Sequence, residues 1–147
     1  MAQEIAATHG WEITPAYEHL TLLVGMVAHN KDRFLVEIRC DQYKEIPPYF
    51  EFIEWDTKKR GTPRAYPKAK NNDSFFHASG PCICAPFNRK AYKAIVESGP
   101  HGDWALGDWM TSMANGVHWS NYTKLADMLG LIQTRLTRPD LYGGRME

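Results

Sequence analysis

Residues 33–53 read RFLVEIRCDQYKEIPPYFEFI. The first seven alternate: Phe34, Val36 and Ile38 fall on one side, and Leu35, Glu37 and Arg39 on the other. A period of two is the signature of a β-strand, because successive side chains leave opposite faces of the pleat. Pro47-Pro48 precedes a second aromatic-rich stretch, Tyr49 to Trp55. Proline is tolerated at a strand's first position, so this stretch is predicted to be a strand with Phe50 and Phe52 on one face. Upstream, His19 to Ala28 carries Leu20, Leu22, Val24 and Met26 at the same spacing. The polar run His29-Asn30-Lys31-Asp32 between it and Arg33 is suited to a hairpin turn. The expected unit is an antiparallel meander of three or more strands.

The rest of the chain bounds what that meander can belong to. The protein has 147 residues, 44% hydrophobic and 23% charged, which suits one α+β domain spanning 1–147. Its 17 Lys+Arg balance its 17 Asp+Glu, so a general nucleic-acid binder is not expected. No run approaches the roughly 18 apolar residues of a membrane span, so no membrane partner is expected either. Met1 to Gly10 contains Glu4 and lacks the basic start and apolar centre of a secretory signal, which makes the cytoplasm the expected compartment.

Helices are expected at Ala2 to His9, at Asn88 to Ser98 before Gly99-Pro100, and at Trp104 to Ala114. The clearest is Asn121 to Leu136, where Leu125, Met128, Leu129, Ile132 and Leu136 form one stripe. Ser120 is the expected N-cap and Pro139 lies past the end. That stripe is assigned to core packing. Asp56 to Asp73 holds Lys58, Lys59, Arg60, Arg64, Lys68 and Lys70 with Gly61, Pro63 and Pro67, and is read as a long exposed basic loop. The tail, from Tyr142 to Glu147, contains Gly143-Gly144 and is expected to be an ordinary flexible terminus.

There are three cysteines, Cys40, Cys82 and Cys84, an odd number far below a disulfide scaffold. The last two are one residue apart. Their side chains are assigned to opposite faces of an extended segment, and no bridge between them is expected.

Two blocks flanking these cysteines resemble one family. Trp119-Ser120, Leu125, Leu129, Ile132-Gln133, Leu136 and Pro139 resemble the central helix of ubiquitin-conjugating enzymes. Phe34 to Ile53 resembles the same family's third strand, its Tyr-Pro-x-x-Pro-Pro element (here Tyr43-Lys44-Glu45-Ile46-Pro47-Pro48) and its fourth strand. Between them, Gly80-Pro81-Cys82-Ile83-Cys84-Ala85 resembles the active-site segment, with Cys84 where the family's cysteine stands. The chain departs from the pattern in three places. The nearest match to the His-Pro-Asn motif is Tyr66-Pro67-Lys68; a long insertion separates Cys84 from Trp119; and the family's C-terminal helices are not found after Pro139. The resemblance is to a compact, divergent member, similar to conjugating enzymes of bacterial ubiquitin-like operons, some of which act in phage defence.

That resemblance implies a chemistry. A ubiquitin-like modifier is received from an ATP-dependent activating enzyme as a thioester on Cys84, then passed to an amine of a target protein. The protein itself needs no cofactor. A helix start at Asn88 and the cations of Arg89 and Lys90 are expected to favour the Cys84 thiolate. Cys82 is the reserve nucleophile. Asn88, His77, Ser79 or backbone N–H groups are the candidate oxyanion donors, with Asn88 equally suited to a plain cap. His101, with Asp103, is the candidate base for the incoming amine; Pro100-His101-Gly102-Asp103 is also a good turn sequence. His118 is read as a packed or surface histidine. Two alternatives stand beside this. Cys84, Glu97, His101 and His118 occur in an order resembling a bacterial Cys-Glu-His-His zinc-binding domain, and His77 with Cys82 and Cys84 is another possible cluster. Alternatively, the chain is a binding module that kept the fold and lost the chemistry.

Overall fold

The computed structural model describes residues 10–16, 20–41, 43, 45–104 and 124–147, and the backbone of 113–114 and 117–118. Four strands form an antiparallel sheet in chain order: β1 (Glu12–Ala16), β2 (Thr21–Val27), β3 (Arg33–Arg39) and β4 (Tyr49–Ile53). Then come β5 (Pro67–Ala69), β6 (Phe76–His77), β7 (Cys82–Ile83), β8 (Met113–Ala114) and β9 (Val117–His118). The helix α1 (Leu125–Thr137) and a last strand, β10 (Tyr142–Arg145), follow. Strands β6 and β7 pair as a short hairpin, β8 pairs with β9, and β10 pairs antiparallel with β5. The architecture is therefore mixed α+β.

The meander has the register its alternation demands. Val24 faces Val36, which faces Phe52, and Leu22 faces Ile38, which faces Phe50. These side chains are fully buried apart from Leu22, which is half-buried, and Phe34 and Met26 join them. Against this face lie the buried stripe of α1 (Met128, Leu129, Ile132 and Leu136) and the aromatics Tyr66, Phe75, Phe76 and Phe87. Edge-to-face ring contacts link Phe52 to Phe34, Tyr66 and Phe76. Such ring pairs add to the area term that dominates burial of this core.

The second face of the sheet is also covered, which alternation alone does not announce. Glu37 and Glu51 stand directly opposite one another on β3 and β4, and only 5% and 4% of their surface is exposed. Two like charges facing across a ladder repel, and here cations neutralise them. Arg60 donates from Nε and Nη2 to both Glu37 oxygens at 2.7 Å. Arg39 reaches Glu51 and approaches Glu37 at 3.4 Å, and the Lys90 ammonium lies 3.4 Å from Glu51.

Several expectations are corrected. The helix expected at Asn88 to Ser98 is a single 3₁₀ turn, Arg89–Ala91. Tyr92 is extended, and the Ala91 carbonyl that a helix would offer to Ile95 accepts the His101 amide at 3.0 Å instead. A short helix is marginal in water, so this long-range pairing prevails. Gly99 is where the chain closes back: a Cβ there would meet the Tyr92 carbonyl carbon at 2.6 Å. The helix expected at Asn121 to Leu136 begins at Leu125, because Lys124 is extended and itself occupies the N-cap. Of the helix expected at Trp104 to Ala114, residues 105–112 lie outside the described residues, and Met113–Ala114 is strand β8. At the start of β2, Leu20 turns out of the apolar face, with positive φ and 57% exposure.

The basic stretch 56–73 is only partly a loop. Its cations are exposed, but Ala65, Tyr66 and Pro67 are buried and β5 lies within it. The tail is a strand, not a loose end. Tyr142 and Met146 are buried, Tyr142 donates its hydroxyl to Asp32 at 2.8 Å, and the Met146 amide donates to the Tyr66 carbonyl at 2.9 Å. Gly143-Gly144 has a structural reason: a Cβ on Gly143 would crowd the Ala69 carbonyl at 3.1 Å, and Gly144 has a φ of 98° at an irregularity in the β10–β5 ladder. The Ala2 to His9 helix, His19, Trp119 and Ser120 lie outside the described residues.

Candidate functional site

The site is assembled at the open edge of β4. An edge strand presents unpaired N–H and C=O groups that need covering. Here the 3₁₀ turn after β7 covers them. The Arg89 amide donates to the Pro48 carbonyl at 2.8 Å, and the Phe50 amide donates to Asn88 Oδ1 at 2.8 Å. Asn88 is wholly buried and fully occupied. Its Oδ1 also accepts from the Lys90 amide at 3.2 Å, and its Nδ2 donates to the Ile83 carbonyl at 2.8 Å and to the Cys82 sulfur at 3.9 Å. The capping role is observed, and no Asn88 donor is left to reach a substrate.

Arg89 is buried with its guanidinium on the side of Asp41 and Cys40. It donates to the Pro47 carbonyl from Nε at 2.9 Å and to Asp41 Oδ2 at 3.2 Å, which ties the Pro47-Pro48 turn to residue 41. Lys90 donates to Tyr66 Oη at 3.3 Å beside Glu51. Neither cation therefore acts on Cys84 in the way expected, and the short turn at Asn88 has no helix dipole to offer.

Both cysteines leave β7 on one side. An extended chain places residues i and i+2 on the same face, so the two thiols are near enough to perturb one another's ionisation, while the Cys82 S–H donates to the Ile83 carbonyl at 3.5 Å. The opposite-face assignment is thus corrected. The Cys84 amide donates to the Phe75 carbonyl at 2.7 Å and the Ala85 amide to the Ile83 carbonyl at 3.1 Å, which bends the chain just past the strand. Cys82 is buried, whereas Cys84 is half-buried, and both are free thiols. The polar side chain of neighbouring Cys82 lowers the Cys84 thiol below its ordinary value, against the opposing effect of burial. The same neighbourhood, helped by burial, pushes the Cys82 thiol far up. Of the two, Cys84 is the thiol whose ionisation is favoured.

Beside Cys82 is a cavity of about 190 Å³ lined by Tyr66, Gly80, Pro81, Cys82, Lys90 and others. Lys90 is the charge that favours ionisation of Cys82, with Glu51 opposing it. The Glu51–Lys90–Tyr66 group escapes a reading of the sequence, since its three members come from separate segments. The only local signal is an acidic residue, Glu51, between two aromatics on a strand.

His77 lies across from Cys82 in the β6–β7 ladder, with Nδ1 buried and no hydrogen-bond partner among the described residues. It is close enough to His101 to lower that residue's pKa, although burial of His101 is the larger cause and Asp103 opposes both. His101 is stacked flat on Trp104, with ring centroids 3.5 Å apart. Its Nδ1 lies 3.8 Å from Asp103, whose side chain is 83% exposed. That separation is too long for a hydrogen bond, so the stacking holds the ring. A neutral imidazole here has the capacity to accept a proton. Ser79 is exposed in the β6–β7 turn, and Glu97 is exposed too. His118 is described only by its backbone pairing with Met113. Among the described residues, no three metal-binding side chains converge, and no helix is long and apolar enough to cross a membrane.

Set against protein-family models, curated proteins and solved structures, the chain matches none of them.

Proposed function

We propose that this chain is a divergent conjugating enzyme that carries a ubiquitin-like modifier as a thioester on Cys84. The observation that carries the proposal is the cysteine segment: a half-buried, free Cys84 whose ionisation is favoured by its buried neighbour Cys82. It supports the reading because thioester chemistry needs a thiol that ionises and leaves readily. The meander, the Tyr43 to Pro48 turn, the cysteine segment and α1 follow one another in the order of the ubiquitin-conjugating family, and that order is the second support.

In the proposed reaction the Cys84 thiolate attacks the modifier's terminal carbonyl, held as a thioester on an ATP-dependent activating enzyme, and expels that enzyme's thiolate. A target amine then attacks the new thioester and expels Cys84. His101 takes the amine proton. Since Asn88 is fully occupied, the oxyanion is left to backbone N–H groups and Ser79. The setting is the cytoplasm of a bacterium that runs such a pathway in antiviral defence.

The deciding experiment incubates the protein with activating enzyme, ATP and modifier, and analyses it by mass spectrometry without reductant. A thiol-sensitive adduct that Cys84→Ala abolishes is the expected result. Absence of any adduct with Cys84 intact overturns the proposal. That outcome favours the second reading, a non-enzymatic binding module of the same pathway, for which the committed Asn88 side chain is the supporting observation.

A further inference from the structure

A cavity of about 380 Å³ opens beyond the end of β4, at the far end of that strand from the Asn88 contact with Phe50. Three arginines from distant parts of the chain line it: Arg33 at the start of β3, Arg64 in the 3₁₀ turn Pro63–Ala65, and Arg145 at the end of β10. We propose that this cavity binds a small organic phosphomonoester, whose phosphoryl group sits between the guanidinium groups of Arg33 and Arg145.

Those two guanidinium groups are held in place without being neutralised. Arg145 donates from Nη1 to the Arg64 carbonyl at 3.0 Å and from Nη2 to the Arg33 carbonyl at 2.6 Å. Its guanidinium carbon lies 4.2 Å from the centre of the Phe34 ring. That of Arg33 lies 4.4 Å above the Trp55 ring. The indole is itself wedged against β2, where a Cβ on Gly25 would meet it at 2.7 Å. Carbonyl oxygens and ring faces orient a guanidinium but leave its charge in place. Among the described residues, no carboxylate pairs with Arg33 or Arg145. The nearby acids are committed or exposed. Glu54 accepts from Arg64 Nε at 2.7 Å and from the Thr57 hydroxyl at 2.8 Å. Asp32 accepts from Asn30 and Tyr142, and Asp56 is exposed.

The ligand class follows from this arrangement. Two planar forks lining one cavity call for an acceptor with more oxygens than one carboxylate offers. A phosphomonoester has three terminal oxygens and a charge of about −1.5 to −2 at neutral pH, which matches two unpaired cations. The cavity is larger than a phosphoryl group and lies within the size range of small-molecule sites. Half-buried Trp55 and buried Ala65 give it an apolar wall for the organic part of the ester. The cavity shares no residue with the cysteine segment, so its test is independent of thioester chemistry.

The test titrates the whole purified protein with phenyl phosphate by isothermal calorimetry, with inorganic phosphate as a parallel probe. One saturable site per chain is expected, with inorganic phosphate bound more weakly because it leaves the Trp55 wall uncovered. Arg33→Gln alters an exposed side chain and should weaken phenyl phosphate binding by about tenfold or more, the loss of a charge-assisted hydrogen bond. Arg145→Lys keeps the charge and loses the fork, and should weaken binding as well. Circular dichroism checks the fold of both variants. Lys68→Gln removes an exposed cation of the same basic stretch, outside the cavity, and should leave the affinity unchanged. Absence of binding, undiminished affinity in Arg33→Gln, an equal loss in Lys68→Gln, or equal affinity for inorganic phosphate overturns the proposal.

Discussion

The side-chain oxygen of Asn88 accepts the backbone amide of Phe50 at 2.8 Å, so a residue after the cysteine segment completes the edge of the central sheet. The amide group also closes the 3₁₀ turn and holds the Ile83 carbonyl. This buried side chain is therefore one of the ties between the segment of Cys82 and the sheet, beside the Arg89 amide on the Pro48 carbonyl.

Removing that side chain strands buried backbone groups on β4 and β7. Asn88→Ala is expected to destabilise the protein by about 3 kcal/mol, since each buried group left unpaired costs on the order of 1–3 kcal/mol. Urea unfolding followed by tryptophan fluorescence measures it. A change under about 0.5 kcal/mol, the scale of an ordinary surface substitution, would show that water replaces the amide there.

Cys84 owes its acidity to its neighbour. The rate of alkylation of Cys84 is expected to rise with pH through a midpoint below that of an ordinary thiol. In Cys82→Ala the neighbouring polar group is gone, and the midpoint should move up; in Cys82→Ser a hydroxyl stands in for it, and it should move back down. Equal midpoints in all three proteins would remove Cys82 from this role.

The stripe of α1 is core. Leu129→Ala and Ile132→Ala, at 3% and 0% exposure, should each cost about 2–5 kcal/mol. Thermal unfolding of the two variants checks the magnitude, and unchanged melting temperatures would show the stripe does not pack as described.

His101 is held neutral by burial, so its folded-state pKa lies below its unfolded value. The unfolded chain then binds a proton first as the pH drops. Stability attributable to this group is complete above the ordinary histidine range and is lost as the pH falls through the lowered folded value. His101→Gln should flatten the decline in melting temperature on acidifying from neutral pH, and an identical decline in both proteins refutes the assignment.

The legible parts of this chain are those written in short-range periodicity. The alternation of Phe34, Val36 and Ile38 and the stripe from Met128 to Leu136 report their buried faces directly. Alternation also contained the facing of Cys82 and Cys84, since residues two apart share a side; the opposite assignment misapplied the period. What could not be read locally depends on distant partners. Nothing near Glu37 announces that Arg60 will neutralise it. Nothing near Ala91 says that His101 will take the carbonyl a helix would use. The glycines of the tail suggest looseness until Tyr142 and Met146 are seen inserted beside them. The candidate site follows the same division: its cysteines stand in a recognisable segment, whereas Tyr66, Lys90 and Glu51 meet only through the fold.

The opposed carboxylates of Glu37 and Glu51 carry a further consequence for how the chain finds its native pairing. Sliding β4 by a single position along β3 would turn Glu51 in among the phenylalanine rings and carry Phe50 and Phe52 out to the charged side. With acids alternating among aromatics, an off-by-one hairpin strands a carboxylate in oil and separates it from Arg39 and Arg60. Misaligned intermediates are penalised as soon as they form, so the charged cluster acts as a proofreading key for the hairpin.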